Sequence, residues 1–247
     1  MPALLANLRF RVGTRLQMRR AAGELRAAAN RATTADAAVA AAFATAGARV
    51  NIAPAQMPQE LTRLAELARA AQPQRVLEIG TGNGGTLYAL AWASAPGAAV
   101  LSLDRTVYPT ERQVLYKTFV PGRRVEVWEA DSHLDETRDR VAAHFHYAPL
   151  DLLFIDGDHT YDSVRRDYEL YAPLVRENGL IAFHDIVAGP YEAVGDAPRF
   201  WHDVRTDLTG VVELVESWDQ GGYGIGVGYG HGVRQPTTNR PSPSTSR

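Results

Sequence analysis

The chain reads as an α/β protein: a seven-stranded sheet, mostly parallel with an antiparallel last strand, and helices on both faces. Three observations predict this. From about residue 57 short apolar runs alternate with helical patterns. Runs such as "RVLEIG", "AVLSLD", "DLLFID" and "LIAFHD" are apolar and flanked by helices, as expected of parallel strands covered on both sides. Near the end, "VVELVES" and "YGIGVGYG" follow each other with a short turn between them, and a hairpin that short must be antiparallel.

Residues 1 to 55 are expected to form a helical N-terminal extension. Its first 31 residues set Arg9, Arg11, Arg15, Arg19, Arg20, Arg26 and Arg31 against one acid, Glu24, among helix-forming alanines and leucines. A solvated helix packed on its own domain is the simplest reading, and contact with an anionic partner, a membrane surface or a second subunit the alternative. Residues 56 to 230 form the main domain. A helix is expected over "MPQELTRLAELARAA", then strand "RVLEIG", a helix from Gly85 and strand "AVLSLD". Helices follow near 109 to 118, 135 to 146 and 161 to 175, between strands "RVEVWEA", "DLLFID" and "LIAFHD". A loop over 186 to 197 leads to the helix "PRFWHDVRTDL" and the closing hairpin. Residues 231 to 247, without apolar periodicity, read as a disordered tail.

Composition narrows the chemistry. With 45% hydrophobic residues in 247, a large core is within reach. No run approaches the roughly 20 apolar residues that cross a bilayer, and the N-terminus lacks a secretory pattern, so a cytoplasmic protein without stable membrane insertion is expected. The absence of cysteine excludes disulfides, thiolate metal sites and cysteine nucleophiles. A net charge of −2 gives no support for nucleic acid as a partner.

In "VLEIGTGNGGTLYALA", Gly80, Gly82, Gly84 and Gly85 lie between a strand and its helix, where glycine allows a tight turn and close approach to a ligand. Asp104 ends the next strand, 19 residues after Gly85, placed to accept hydrogen bonds from both hydroxyls of a ribose. Gly80, Gly82 and Gly85 also fit the dinucleotide pattern of hydride-transfer enzymes, so an NAD-type oxidoreductase is one alternative and a noncatalytic binding protein another. Glu78 separates the first two: its charge would repel a pyrophosphate but suits the cationic amino-acid part of S-adenosylmethionine.

On these residues the chain resembles the class I S-adenosylmethionine-dependent methyltransferases, with their Rossmann-like sheet, over roughly residues 55 to 230. The resemblance implies that Glu78, Gly80 and Gly82 line the methionine moiety of the donor. It further implies that Asp104 holds the ribose, and that Asp131 and Ser132 of "EADSH" lie near the adenine.

The ends of the parallel strands open on one edge, so Glu78, Asp104, Asp131, Asp156 and Asp185 should share a crevice. So many carboxylates together call for a compensating cation. The motifs "DLLFIDGDHTYDSVRRD", "GLIAFHDI", "RFWHDVR" and "GGYGIGVGY" resemble the subgroup that includes cephalosporin-hydroxylase-like proteins and macrolide-sugar O-methyltransferases. Carried over, that resemblance implies a divalent metal on Asp156, His184 and Asp185, with His159 as general base. Magnesium is the expected ion. A histidine at 184, where such enzymes often have an acid, leaves manganese as the alternative. The implied acceptor is a hydroxyl of a small molecule or glycan, and the N-terminal extension is compatible with a homodimer. Asp158 reads as a helix cap, His133 and Tyr161 as pocket-bordering residues, Tyr191 as a stacking surface and Trp201 as a core anchor.

Overall fold

The computed structural model describes residues 2–107 and 111–231. Two helices come first, α1 (Pro2–Arg31) and α2 (Ala35–Phe43). Met18, Ala22, Leu25 and Ala29 recur at helical spacing and are all buried, and the hydroxyl of Tyr88 donates to the carbonyl of Leu25 at 3.0 Å. Thr34 starts α2 by accepting from the amide of Ala37, which satisfies one of the free donors of the first turn.

The alternation expected from the sequence follows: α3 (Pro58–Ala71), β1 (Arg75–Ile79), α4 (Gly85–Ala93), β2 (Ala99–Asp104), α5 (Arg112–Tyr116), β3 (Arg124–Glu129), α6 (Asp135–His144), β4 (Leu150–Ile155), α7 (Tyr161–Tyr171) and β5 (Val175–His184). Successive residues of each strand feed opposite layers. On β4, Leu152 and Phe154 join the core under α1 to α5, whereas Leu153 and Ile155 join the core under α6, α7 and the later helix α9 (Ala197–Val204). Full burial of a side chain such as Phe154 contributes about 2 kcal/mol, so double-sided strands account for much of the stability.

The sheet order is β3-β2-β1-β4-β5-β7-β6, where β6 spans Thr209–Leu214 and β7 spans Ile225–His231. The first five strands are parallel, and β7 is antiparallel to both β5 and β6. The reversed strand, last of the described strands, is thus threaded inside the sheet, and β6 forms the edge. Residues 215 to 224 connect these two strands, a longer link than the short turn expected, since β6 stops at Leu214, where it pairs with Ile225.

Two further details differ from expectation. Helix α7 ends at Tyr171, since Pro173 forces a 3-10 turn over Ala172–Leu174 and β5 begins at Val175. The 186 to 197 loop contains one helical turn, α8 (Tyr191–Val194). Of the tail expected over 231 to 247, His231 ends β7 and the rest, like the start of the helix expected near 109, lies outside the described residues. No helix among the described residues is long and apolar enough to cross a membrane.

Candidate active site

The order in which strands are added reverses between the parallel neighbours β1 and β4, and a ligand crevice is expected at the carboxyl ends of those strands. A cavity of about 240 Å³ occupies that place, bounded by Gly80, Gly82, Asp104, Ser132, Asp156 and Asp158. Backbone hydrogen bonds knit its floor: the amide of Gly80 donates to Leu103 and that of Asp156 to Ile79, both at 2.8 Å. Gly80 has a φ of +93°, and a β-carbon there would overlap the carbonyl of Asp156.

Asp104 is held in the cavity wall. Its Oδ2 accepts from the Gly82 amide at 3.0 Å and its Oδ1 from Thr106 at 2.9 Å. Glu78 lies beneath the turn, fully buried and outside the cavity lining. The Ser102 hydroxyl bonds its Oε2 and also meets Thr81 Oγ1 at 2.6 Å, while Oε1 has no partner among the described residues. Burial pushes the Glu78 carboxyl well above its usual pKa, against the opposing Ser102 bond. Asp131 is half exposed and folds back on its own turn, accepting from the His133 amide at 3.0 Å, while its neighbours Ala130 and Ser132 line the cavity.

Four side chains meet at the edge of the cavity. His184 Nδ1 lies 3.1 Å from Asp156 Oδ1 and 3.2 Å from Asp185 Oδ2. Ligand atoms of Asp156, His184 and Asp185 all lie within 4.8 Å of one another, a spacing one cation could bridge. His159 brings Nε2 to 3.4 Å from Asp185 Oδ2 and 3.8 Å from Asp156 Oδ1. Burial by itself would depress His184, but the two carboxylates override it and lift the ring to about 10. Burial would likewise raise Asp156; its imidazole neighbours, His184 foremost, bring it below the ordinary range. The neighbouring Asp156 carboxylate is the main influence raising His159, with burial opposing.

Asp185 has a φ of +57°, uncommon for a side chain with a β-carbon, and its Oδ1 accepts from the Tyr223 amide at 3.0 Å. The 186 to 197 loop seats His159: Nδ1 faces the Ala193 carbonyl at 2.7 Å, and the His159 carbonyl accepts from the Asp196 amide at 2.8 Å. Donation from Nδ1 to that carbonyl leaves the lone pair of the neutral ring on Nε2, facing the carboxylates. Gly195, with a φ of +51°, makes the contact feasible, since a β-carbon would lie 2.4 Å from the His159 carbonyl oxygen.

Two expectations are corrected. The cap of α7 is Thr160, whose side chain accepts from the Ser163 amide. Asp158 acts one step earlier, accepting from the Thr160 amide at 2.9 Å, and reaches Arg105 at 3.4 Å. Tyr161 faces away from the cavity lining, donating to Asp203 at 2.9 Å under the guanidinium of Arg199. His133 lines the cavity, Tyr191 is exposed, and Trp201 is buried with its indole donating to Glu213 at 2.8 Å.

Sequence reasoning missed two residues that brace the site. Gln56 donates to Asp156 Oδ2 at 2.7 Å. Glu60, completely buried on α3, accepts from the Glu216 and Gly224 amides and from the Gln220 side chain. Their partners stand 100 or more residues away, so no local pattern marks them.

Residues 77–186 match the family described as a methyltransferase domain. No curated protein matches the chain. Among solved structures, the O-methyltransferase from Bacillus cereus in complex with SAH aligns at a TM-score of 0.56 and 19% identity, covering 79% of this chain and 90% of that one. TomG from Streptomyces achromogenes, an O-methyltransferase involved in tomaymycin synthesis and in complex with SAM, gives 0.56 and 20% over 82% of this chain and 92% of that one. Cofactor-bound Rv0187 from MTB gives 0.54 and 24% over 80% and 90%. At these identities the likeness is one of fold.

Proposed function

We propose that this chain, whose residues 77–186 match a methyltransferase-domain family, is an S-adenosylmethionine-dependent O-methyltransferase that uses a divalent metal and acts on a hydroxyl of a small molecule or glycan. The observation that carries the reading is the approach of His159 Nε2 to the paired carboxylates of Asp156 and Asp185, at the rim of the glycine-turn cavity. An imidazole oriented in this way is suited to take a proton from an acceptor hydroxyl.

The residues fit both the donor and the metal. The unpartnered Oε1 of Glu78 is a buried acceptor suited to an ammonium group, directly or through water, and Asp104 faces the cavity where ribose hydroxyls would reach it. Asp156, His184 and Asp185 present two oxygens and one nitrogen to a shared point. When bound, the donor supplies an activated methyl group on a sulfonium and the metal supplies positive charge that lowers the pKa of a nearby hydroxyl.

The chain's own contribution is positioning and proton transfer. Asp104 and the glycine turn hold the donor end, His159 accepts the hydroxyl proton at Nε2, and the Ala193 carbonyl keeps that ring in its tautomer. The same reading makes the protein cytoplasmic and leaves the acceptor as the partner it recognises. A dinucleotide oxidoreductase would give neither Glu78 nor the second carboxylate pair a role.

The test is transfer of labelled methyl from S-adenosylmethionine into a panel of sugars, glycans and phenols, before and after exhaustive chelation. Labelled methyl ether formed only in the metal-replete protein is the expected result. Tight NAD binding with none for the methyl donor would sink the reading, and activity that survives chelation would remove the metal from it.

A further inference from the structure

We infer that Gln56 is a positioning residue for the metal centre, one that assigns the two oxygens of Asp156 their separate tasks; the inference rests on the metal-assisted reading above. Gln56 precedes α3 and lies outside the segment that matches the methyltransferase family. It is buried, and both ends of its amide are engaged. The hydroxyl of Thr86 donates to Gln56 Oε1 at 2.7 Å, and Gln56 Nε2 donates to Asp156 Oδ2 at 2.7 Å.

The orientation of the amide follows from its partners. An ionised carboxylate only accepts, so the end facing Asp156 must be the NH₂, and the carbonyl is left for the Thr86 hydroxyl. With Oδ2 occupied, Oδ1 is the oxygen that turns toward His184 Nδ1 at 3.1 Å and His159 Nε2 at 3.8 Å. Asp156 therefore presents one chosen oxygen to the shared point. A carboxylate without that bond could rotate about its last torsion, since such terminal torsions are broad.

The segment carrying Gln56 is itself fastened to the donor side. Arg112 donates to the carbonyls of Asn51 and Asn83, and the Asn83 side chain donates to Ala53. Thr86 is the second residue of α4, directly after the glycine turn. A three-residue chain, Thr86 to Gln56 to Asp156, thus joins the turn that would bind the donor to the residue that would bind the metal. Partners of this kind, which hydrogen-bond to a metal ligand and set its orientation, change metal affinity when removed.

The test counts bound Mn²⁺ by electron paramagnetic resonance, where free ion gives the signal, in the wild-type protein and in Gln56→Met, Thr86→Val and Asp156→Asn. Met keeps the length of the side chain and removes its donor. The expected result is a dissociation constant about tenfold higher or more for Gln56→Met, a smaller loss for Thr86→Val, and near-complete loss for Asp156→Asn. Thermal melts run in parallel separate this from a packing role, which would lower the melting temperature without changing the Mn²⁺ affinity of the folded protein. Wild-type affinity in Gln56→Met alongside loss in Asp156→Asn overturns the inference alone. No Mn²⁺ binding by the wild-type protein overturns it together with the metal-assisted reading. Should Gln56→Met fail to fold, wild-type affinity in Thr86→Val overturns the relay.

Discussion

A β-carbon on Gly80 would lie 1.8 Å from the carbonyl oxygen of Asp156, a backbone atom fixed in the neighbouring strand end. The glycine turn and the strand that supplies the second carboxylate site are therefore in direct contact at their backbones, and neither can move without the other. Gly80→Ala should cost about 2–3 kcal/mol through overpacking and positive-φ strain. For a chain of this size that lowers the melting temperature by roughly 5–10 °C. Calorimetry with and without S-adenosylhomocysteine checks it, and a wild-type melting temperature with intact product affinity would refute the argument.

Asp104 already accepts two backbone amides, which aim its carboxylate at the cavity. Asp104→Ala should weaken donor binding by roughly 10- to 100-fold, the worth of hydrogen bonds to a charged group. Equilibrium dialysis with labelled S-adenosylmethionine measures this directly. Unchanged affinity would move the ribose elsewhere.

His159→Ala should lower turnover by about 10²- to 10⁴-fold, the usual range for loss of a general base. Donor affinity should stay within a factor of a few, because the imidazole is outside the lining of the cavity. Single-turnover kinetics on a true acceptor separate the two effects. Full turnover in the variant would reassign the base.

Asp167 offers a prediction about stability and pH. It is 1% exposed, neither oxygen has a hydrogen-bond partner among the described residues, and His133 Nε2 lies 3.7 Å away. Burial pushes its pKa up to about 6 from 3.8, so the folded state holds its proton more tightly than the unfolded chain does. The carboxyl is accommodated without penalty below about pH 4 and costs stability as pH rises through 6. Asp167→Asn should therefore stabilise the protein by about 2–3 kcal/mol at pH 7.5 and by little at pH 4. Urea unfolding at both values checks the sign, and a variant less stable at pH 7.5 would show the carboxylate to be favourably paired.

The sheet was legible because its strands are apolar on both faces and its turns carry glycine and aspartate; the patterns that bury Leu152 and Leu153 on opposite sides are local. The site was legible to the extent that its groups end strands: Gly80, Asp104, Asp156, His184 and Asp185 fall where strand boundaries put them. Two things escaped. The link over 215 to 224 serves distant partners, Glu60 and Asp185, and no local pattern marks that. The roles of Gln56, Glu60 and Tyr223 depend on side-chain and backbone donors that meet only after the chain has closed on itself. Asp158 was misread for a smaller reason, since two residues in sequence, Asp158 and Thr160, both have oxygens suited to the start of α7.

Glu60 carries a consequence for the order in which the protein is made. Its carboxylate is buried on a helix that emerges early from the ribosome, yet all three of its donors belong to residues 216 to 224, 156 to 164 positions later. Until those residues have been synthesised, an acid sits in an apolar helix face without its partners, and the rim that places Tyr223 against Asp185 does not exist. Closure of the rim is thus a late event with a long contact separation, after much of the sheet can pair. A nascent chain halted short of residue 216 would have its glycine turn and still lack the seat for Asp185.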